Sequence, residues 1–265
     1  MLTFRDFITG FRRLDIDASR PVIAHASLKA FGEVHGGAGT VLGALISSFS
    51  TVLMPAFTYK TMLTPEVGPP DNAISYGSGK DANRMAEIFD PGMPVDNAMG
   101  VLAESLRKHA SALRSTHPIL SFSGINAGQI LASQSLIEPL LPIQRLVEAE
   151  GWVLLLGVGH SANSSIHYGE RLAGRKQFIR WALTSQGVVA CPGFPGCSDG
   201  FGAIASHLDD AVRKVNLGGG VIQAVPLVDL VDTVCAMLKE DPTALLCDRE
   251  DCQRCNAVRA SATNL

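Results

Sequence analysis

The chain has 265 residues and a mass of 28.0 kDa, with 46% hydrophobic and 18% charged residues, the composition of a globular protein large enough to bury a substantial core. A net charge of −3 and a pI near 6.2 give no general basic field for nucleic acid, and no run of about 18 apolar residues is present to span a membrane. The opening MLTFRDFITGFRRL lacks the uninterrupted apolar core and cleavage site of a secretory signal, so a cytoplasmic protein is expected and the six cysteines read as thiols or metal ligands, not as a disulfide framework.

Phe4, Phe7, Ile8, Phe11 and Leu14 recur at helical spacing opposite Arg5, Asp6, Arg12 and Arg13, which predicts an amphipathic helix over 3–14. A strand opens at Pro21 and ends near Ala24. From His25 to Leu45 follow a glycine-rich loop and an apolar helix, with Thr40 as its expected cap; Gly32, Gly36, Gly37 and Gly39 let backbone amides approach a ligand, and an anion would suit the helix N-terminus. Ser50–Pro55 is a second strand. Residues 57–97 then hold prolines, glycines and little periodicity beyond a short helix near 83–89, the pattern of a lid or binding loop.

A helix is predicted over Met99–Leu113 with Val101, Leu102, Leu106 and Leu113 inward, and Pro118 holds His117 extended after it. Short helices at 127–133 and around Pro142 to Glu150 precede the most informative stretch, GWVLLLGVGHSANSSIHYGE from Gly151 to Glu170. Trp152–Leu156 reads as a strand buried on both faces; a small-residue turn follows, then Asn163, Ser164 or Ser165 caps a helix carrying His167 and Glu170. At i, i+3 the two side chains share a helix face, where a carboxylate orients an imidazole that serves as general base. Beyond the basic patch Arg171, Arg175, Lys176 and Arg180, the pattern predicts a strand over 181–190, a helix over 204–215, a strand over 218–225 and a helix over 226–238.

Cys247-x4-Cys252-x2-Cys255 places three thiols on a short charged tail, and Cys197, on a glycine-rich turn, is preferred over Cys191 as a fourth. Four soft ligands are the donor set of a structural zinc site. Cys235 falls on an apolar helix face and reads as core.

Three segments, HASLKAFGEVHGGAGTVLGAL with VLMP after it, MGVLAESLRKHASALRSTHPILSFSG, and PIQRLVEAEGWVLLLGVGHSANSSIHYGE, occur in the order and spacing of one family. The chain resembles the aminoglycoside 3-N-acetyltransferases of the antibiotic N-acetyltransferase type, which differ in fold from the GNAT enzymes. The resemblance implies a single α/β domain over 1–265, with a central mixed sheet flanked by helices in three layers, an acceptor-side loop at 57–97 and a Cys-rich tail at 247–265. It implies acetyl transfer from acetyl-CoA to a small amine, most directly the 3-amino group of an aminoglycoside, by direct transfer in a monomer or homodimer without nucleic acid or membrane. His167 is then the base and Glu170 its partner. The donor loop carries over to Ser27, Leu28, Lys29, Phe31, Gly32, Val34, Gly36 and Gly37, and a second donor segment to Arg114, Ser115 and His117. Some members share a late Cys-x2-Cys, which fits zinc at Cys252 and Cys255 with Cys197 and Cys247. The chain departs from the family in Ser164-Ser165-Ile166 before the histidine and in the 57–97 loop, which leaves a different amine open. Two readings of other classes stand beside this one: a metal-dependent hydrolase with His25, His117, His160 and His167 as ligands, and a zinc-stabilised binding module without turnover.

Overall fold

A computed structural model describes residues 1–262; the end of the predicted tail, 263–265, lies outside them. The apolar runs read from the sequence become the middle of a sheet. In chain order the strands among the described residues are β1 (Val22–Ala26), β2 (Val52–Pro55), β3 (Met62–Leu63), β4 (Ala112–Arg114), β5 (Phe122–Ile125), β6 (Trp152–Leu156), β7 (Phe178–Thr184), β8 (Gly187–Phe194), β9 (Arg213–Leu217) and β10 (Gly220–Pro226). Seven of them form a mixed sheet in the order β4-β5-β2-β1-β6-β10-β9, and β3-β7-β8 form a second, antiparallel sheet. Strand β1 is parallel to β2 and β6, while β5 and β10 close antiparallel on either side of that trio.

Both faces of the trio are buried, which accounts for its unbroken apolar sequences. Ile23, Leu53, Val153 and Leu155 face one way, and Val22, Val52, Met54, Leu154 and Leu156 the other, the period of two that a pleated strand imposes. Helices Phe4–Arg13, Gly37–Ser48 and Gly100–Arg107 cover the second face; helices Leu141–Glu148, Ile166–Leu172 and Leu227–Glu240 and the small sheet cover the first. The layered arrangement of helix, mixed sheet and helix is the one expected.

Several elements differ from the pattern reading. The helix predicted over 99–113 ends at Arg107, and Ala112–Arg114 become an edge strand, so Leu102, Ala103 and Leu106 are buried while Val101 and Leu113 are exposed. The single strand over 181–190 is a hairpin, β7 and β8, turning at Gly187 with φ +106°. The helix over 204–215 is one turn, Ala205–Leu208, and its second half is edge strand β9. Thr40 lies inside its helix, capped instead by Gly36 in the left-handed region at φ +75°. The 57–97 segment contributes β3 and a short helix, Lys80–Arg84.

The end of β6 turns at Gly157, φ +68°, against the segment that leaves β1: a Cβ there would stand 2.5 Å from Ala30 Cβ and 3.0 Å from Ser27 O. Gly157→Ala combines a disfavoured backbone conformation with overpacking, and should lower unfolding free energy by about 2–4 kcal/mol, read as a shifted midpoint at unchanged slope in urea. A loss below about 0.5 kcal/mol would contradict the tight turn.

Candidate active site

Helix Ile166–Leu172 begins where the turn after β6 ends. Of the three predicted caps, Asn163 is the one that engages the backbone there: its Oδ1 accepts the Ser165 N–H at 3.1 Å. Gly169 lets the helix lie against the 227–240 helix, since a Cβ there would meet Val234 at 2.7 Å. The face so oriented carries His167 and Glu170. His167 Nδ1 is 2.7 Å from Glu170 Oε2, and Glu170 Oε1 accepts from Arg175 Nη1 at 2.6 Å. Arg175 in turn donates to the carbonyls of Pro242 and Ala244 at 2.8 and 2.7 Å. His167, Glu170 and Arg175 are all buried, Glu170 to 1% exposure. An ionised carboxylate only accepts, so opposite it the imidazole presents Nδ1–H and keeps the Nε2 lone pair for chemistry. Phe201 packs edge-on to the imidazole, with centroids 4.8 Å apart.

His167 lines a cavity of about 700 Å³ at the C-terminal ends of the parallel strands, the edge at which open α/β sheets bind ligands. Opposite elements supply Ser27, Leu28 and Lys29 from the loop after β1, Met54 and Pro55 from β2, and Ser198, Asp199, Arg249 and Arg254 from the C-terminal part of the chain. His25, whose Nε2 is sealed without a partner, lines it too.

The remaining predicted residues are placed as follows. Phe31 is core, 5.4 Å from the Phe7 ring; Val34 bridges Leu2; Gly32, Gly36 and Gly37 take left-handed conformations that fold the loop. None of these five lines the cavity. Nor do Arg114, Ser115 and His117, expected beside the donor: they hydrogen-bond to the fold, while His117 Nε2 is buried without a partner. Arg114 donates to Ala56 O at 2.7 Å and Met93 O at 2.6 Å, tying the end of the long loop to β2; Ser115 Oγ accepts from Phe122 N at 2.8 Å; His117 Nδ1 accepts from the backbone of Ile119 and Leu120 at 3.1 and 3.0 Å. The four-histidine metal site is not formed, because the one group of candidate metal ligands among the described residues is Cys197, Cys247, Cys252 and Cys255.

Those four sulfurs lie within 4.8 Å of one another and all four side chains are buried. Tetrahedral zinc with bonds of about 2.3 Å sets sulfurs roughly 3.8 Å apart, so the donor set and its closeness fit the ion. Cys191 lies apart, in the core on β8. The helix that carries Cys255, Gln253–Ala262, buries in full only Cys255 and Val258, and its Arg254 and Arg259 donate to Gly196 O and Cys247 O.

The family model described as aminoglycoside 3-N-acetyltransferase matches residues 23–239. The chain belongs to this family. It is 27% identical to aminoglycoside N(3)-acetyltransferase III of Salmonella sp. over 78% of this chain and 80% of that protein, and 30% identical to aminoglycoside N(3)-acetyltransferase IX of Micromonospora chalcea over 60% and 59%. Among solved structures, the apoenzyme of aminoglycoside acetyltransferase AAC(3)-IVa superimposes with a TM-score of 0.80 at 24% identity, covering 98% of both chains, and AAC-IIIb bound to CoASH with 0.73 at 22%, covering 90% and 96%. At these identities the superpositions establish the fold of the family member described here, α/β with the seven-stranded sheet.

Sequence reasoning leaves three contributors to the site unassigned. Arg175 is visible only as one member of a basic patch, Phe201 as an apolar residue in a turn, and Asp199 as a loop charge; their partners lie far along the chain, 67 residues away in the case of Arg175 and Pro242. Burial also sets the acid response. It holds the His25 imidazole down at about 3 and the His117 imidazole at about 4, against about 6.5 in an unfolded chain. Below pH 6.5 the unfolded state binds protons that the native state refuses, so stability falls as pH drops toward 4. Each histidine should cost about 2 kcal/mol between pH 7 and pH 5. Urea unfolding of His25→Leu should therefore lose about 2 kcal/mol less than wild type over that interval; parallel losses would show that His25 is not buried neutral.

Proposed function

We propose that the chain is an acetyl-CoA-dependent amine N-acetyltransferase in which His167 is the general base and Glu170 orients it. The observation that carries this reading is that His167 shares one cavity with Ser27, Leu28 and Lys29, the part of the first loop matched to the family's donor segment. A protonated amine is not nucleophilic, so the acceptor reacts after losing its ammonium proton to solvent; His167 Nε2 takes the second proton, shed as the nitrogen attacks the thioester carbon. A C–N bond forms, the C–S bond breaks, and the CoA thiolate leaves and recovers that proton from the imidazolium. Glu170, with Arg175 on its other oxygen, stabilises the imidazolium formed on the way without itself accepting the proton.

The proposed acceptor is an aminoglycoside amine, supported by the names of the relatives and by the family's solved complexes with gentamicin and sisomicin. A second acceptor reading, a non-aminoglycoside amine, draws on the charges of the cavity wall. Its lining holds Lys29, Arg249 and Arg254 but a single carboxylate, Asp199, which is already paired with Arg249 at 3.0 Å. We also propose that Cys197, Cys247, Cys252 and Cys255 hold one structural zinc ion, supported by their closeness, burial and chemistry.

Two measurements check these assignments. CoA release should be seen with an acceptor from a panel of aminoglycosides, polyamines and amines bearing an anionic group, and His167→Ala should lower kcat/KM by about 10²- to 10⁴-fold; full activity in the variant removes His167 as base, and a stable acetylated protein removes direct transfer. Metal analysis should find about one zinc per chain in wild type and in His167→Ala alike; a metal-free protein that refuses added zinc removes the ion.

A further inference from the structure

We infer that the four-cysteine centre, holding zinc, is a positioning element of the reaction cavity as well as a clasp for the tail; the inference rests on the zinc and transferase readings above. One loop links the two sites. Between Gly196 and Phe201 it supplies a sulfur of the cluster, Cys197, which also lines the cavity with Gly196, Ser198 and Asp199, and the ring packed on His167, Phe201. The loop is wound tightly about the sulfur: Asp199 N–H points to Cys197 Sγ at 3.5 Å, and Phe201 N–H donates to Ser198 O at 3.1 Å. Movement of Cys197 therefore moves all the rest.

The tail grips this loop and reaches the base a second way. Arg254 donates to Gly196 O at 2.8 Å and Arg249 pairs with Asp199 at 3.0 Å. Gly200 lies so close to the tail that any Cβ would overlap the Leu246 carbonyl. From the other side, Pro242 and Ala244 hold the Arg175 guanidinium that completes Glu170. The segment 242–255 thus approaches His167 through Phe201 and through Arg175. Leu245 and Val258 seat it in the core, and metal–sulfur bonds would tie Cys247, Cys252 and Cys255 directly to Cys197 on the cavity loop. The donor loop at Ser27–Lys29 leaves a different strand, β1, so loss of the metal should loosen the cavity wall at 196–201 and the base while sparing acetyl-CoA binding, and the acceptor is the substrate expected to feel it.

The test is hydrogen exchange by mass spectrometry together with steady-state kinetics, on zinc-loaded protein, on protein stripped by a chelator, and on Gly200→Ala, which displaces the loop from the tail without removing a sulfur or a cavity side chain. Stripping should raise exchange in 241–262 and also in 163–175 and 196–201, and should raise KM for the acceptor about 10- to 100-fold with KM for acetyl-CoA within about twofold. Gly200→Ala should reproduce the KM split with zinc retained, which decides the matter if stripping unfolds β1 and β6 as well. Exchange changes confined to 247–262, with both KM values unchanged, overturn the inference and leave the zinc a clasp. Absence of zinc binding overturns the zinc reading and this one together; absence of CoA release with every acceptor overturns the transferase reading, and the exchange pattern then decides this one alone.

Discussion

The Glu170 carboxylate is the constraint from which the site is built. Taking such a charge out of water costs several kcal/mol, and the cost is offset only when both oxygens are engaged by well-placed donors. At 1% exposure, Glu170 has His167 on one oxygen and Arg175 on the other. That division fixes the imidazole tautomer and the ring plane. It also supports the burial of Arg175, since three of its N–H groups are taken up by the carboxylate and two backbone carbonyls.

The sheet gives this arrangement something to face. Its three central strands run parallel, so the segments leaving β1, β2 and β6 emerge on one edge and line the same cavity. Antiparallel strands on the flanks extend the sheet without adding crossovers at that edge. The result is a stiff floor carrying His25 and the loop after β1, with a wall on the far side made from chain that comes more than a hundred residues later.

What is legible in the sequence follows from this architecture. Strands β1, β2 and β6 are buried on both faces and announce themselves as apolar runs, and the His167/Glu170 pair is local, at i, i+3. The cysteines are legible because spacing and softness are themselves the signal, and the open neighbours on its turn set Cys197 ahead of Cys191. Of the flanking strands, β10 is legible as the strand over 218–225, while β4, β5 and β9 are not. Phe122–Ile125 contains Ser123 and Gly124, the latter required because a Cβ would meet Val52 O at 2.8 Å, a tertiary demand invisible locally. Edge strand β9 carries Arg213, Lys214 and Asn216 and imitates the polar face of a helix. Arg114 and His117 lie in a segment that resembles the family's, yet the fold uses them to bind backbone.

Arg175 waiting on Pro242 and Ala244 has a consequence for how the protein is made. Synthesis delivers the floor first: β1, β2 and β6 all precede Pro242 and Ala244, and N-terminal parts fold as they emerge. The carbonyls that accept from the guanidinium follow Arg175 by 67 and 69 residues. A ribosome that stalls before residue 244 releases the parallel strands and the histidine with the carboxylate's guanidinium partner not yet fully held.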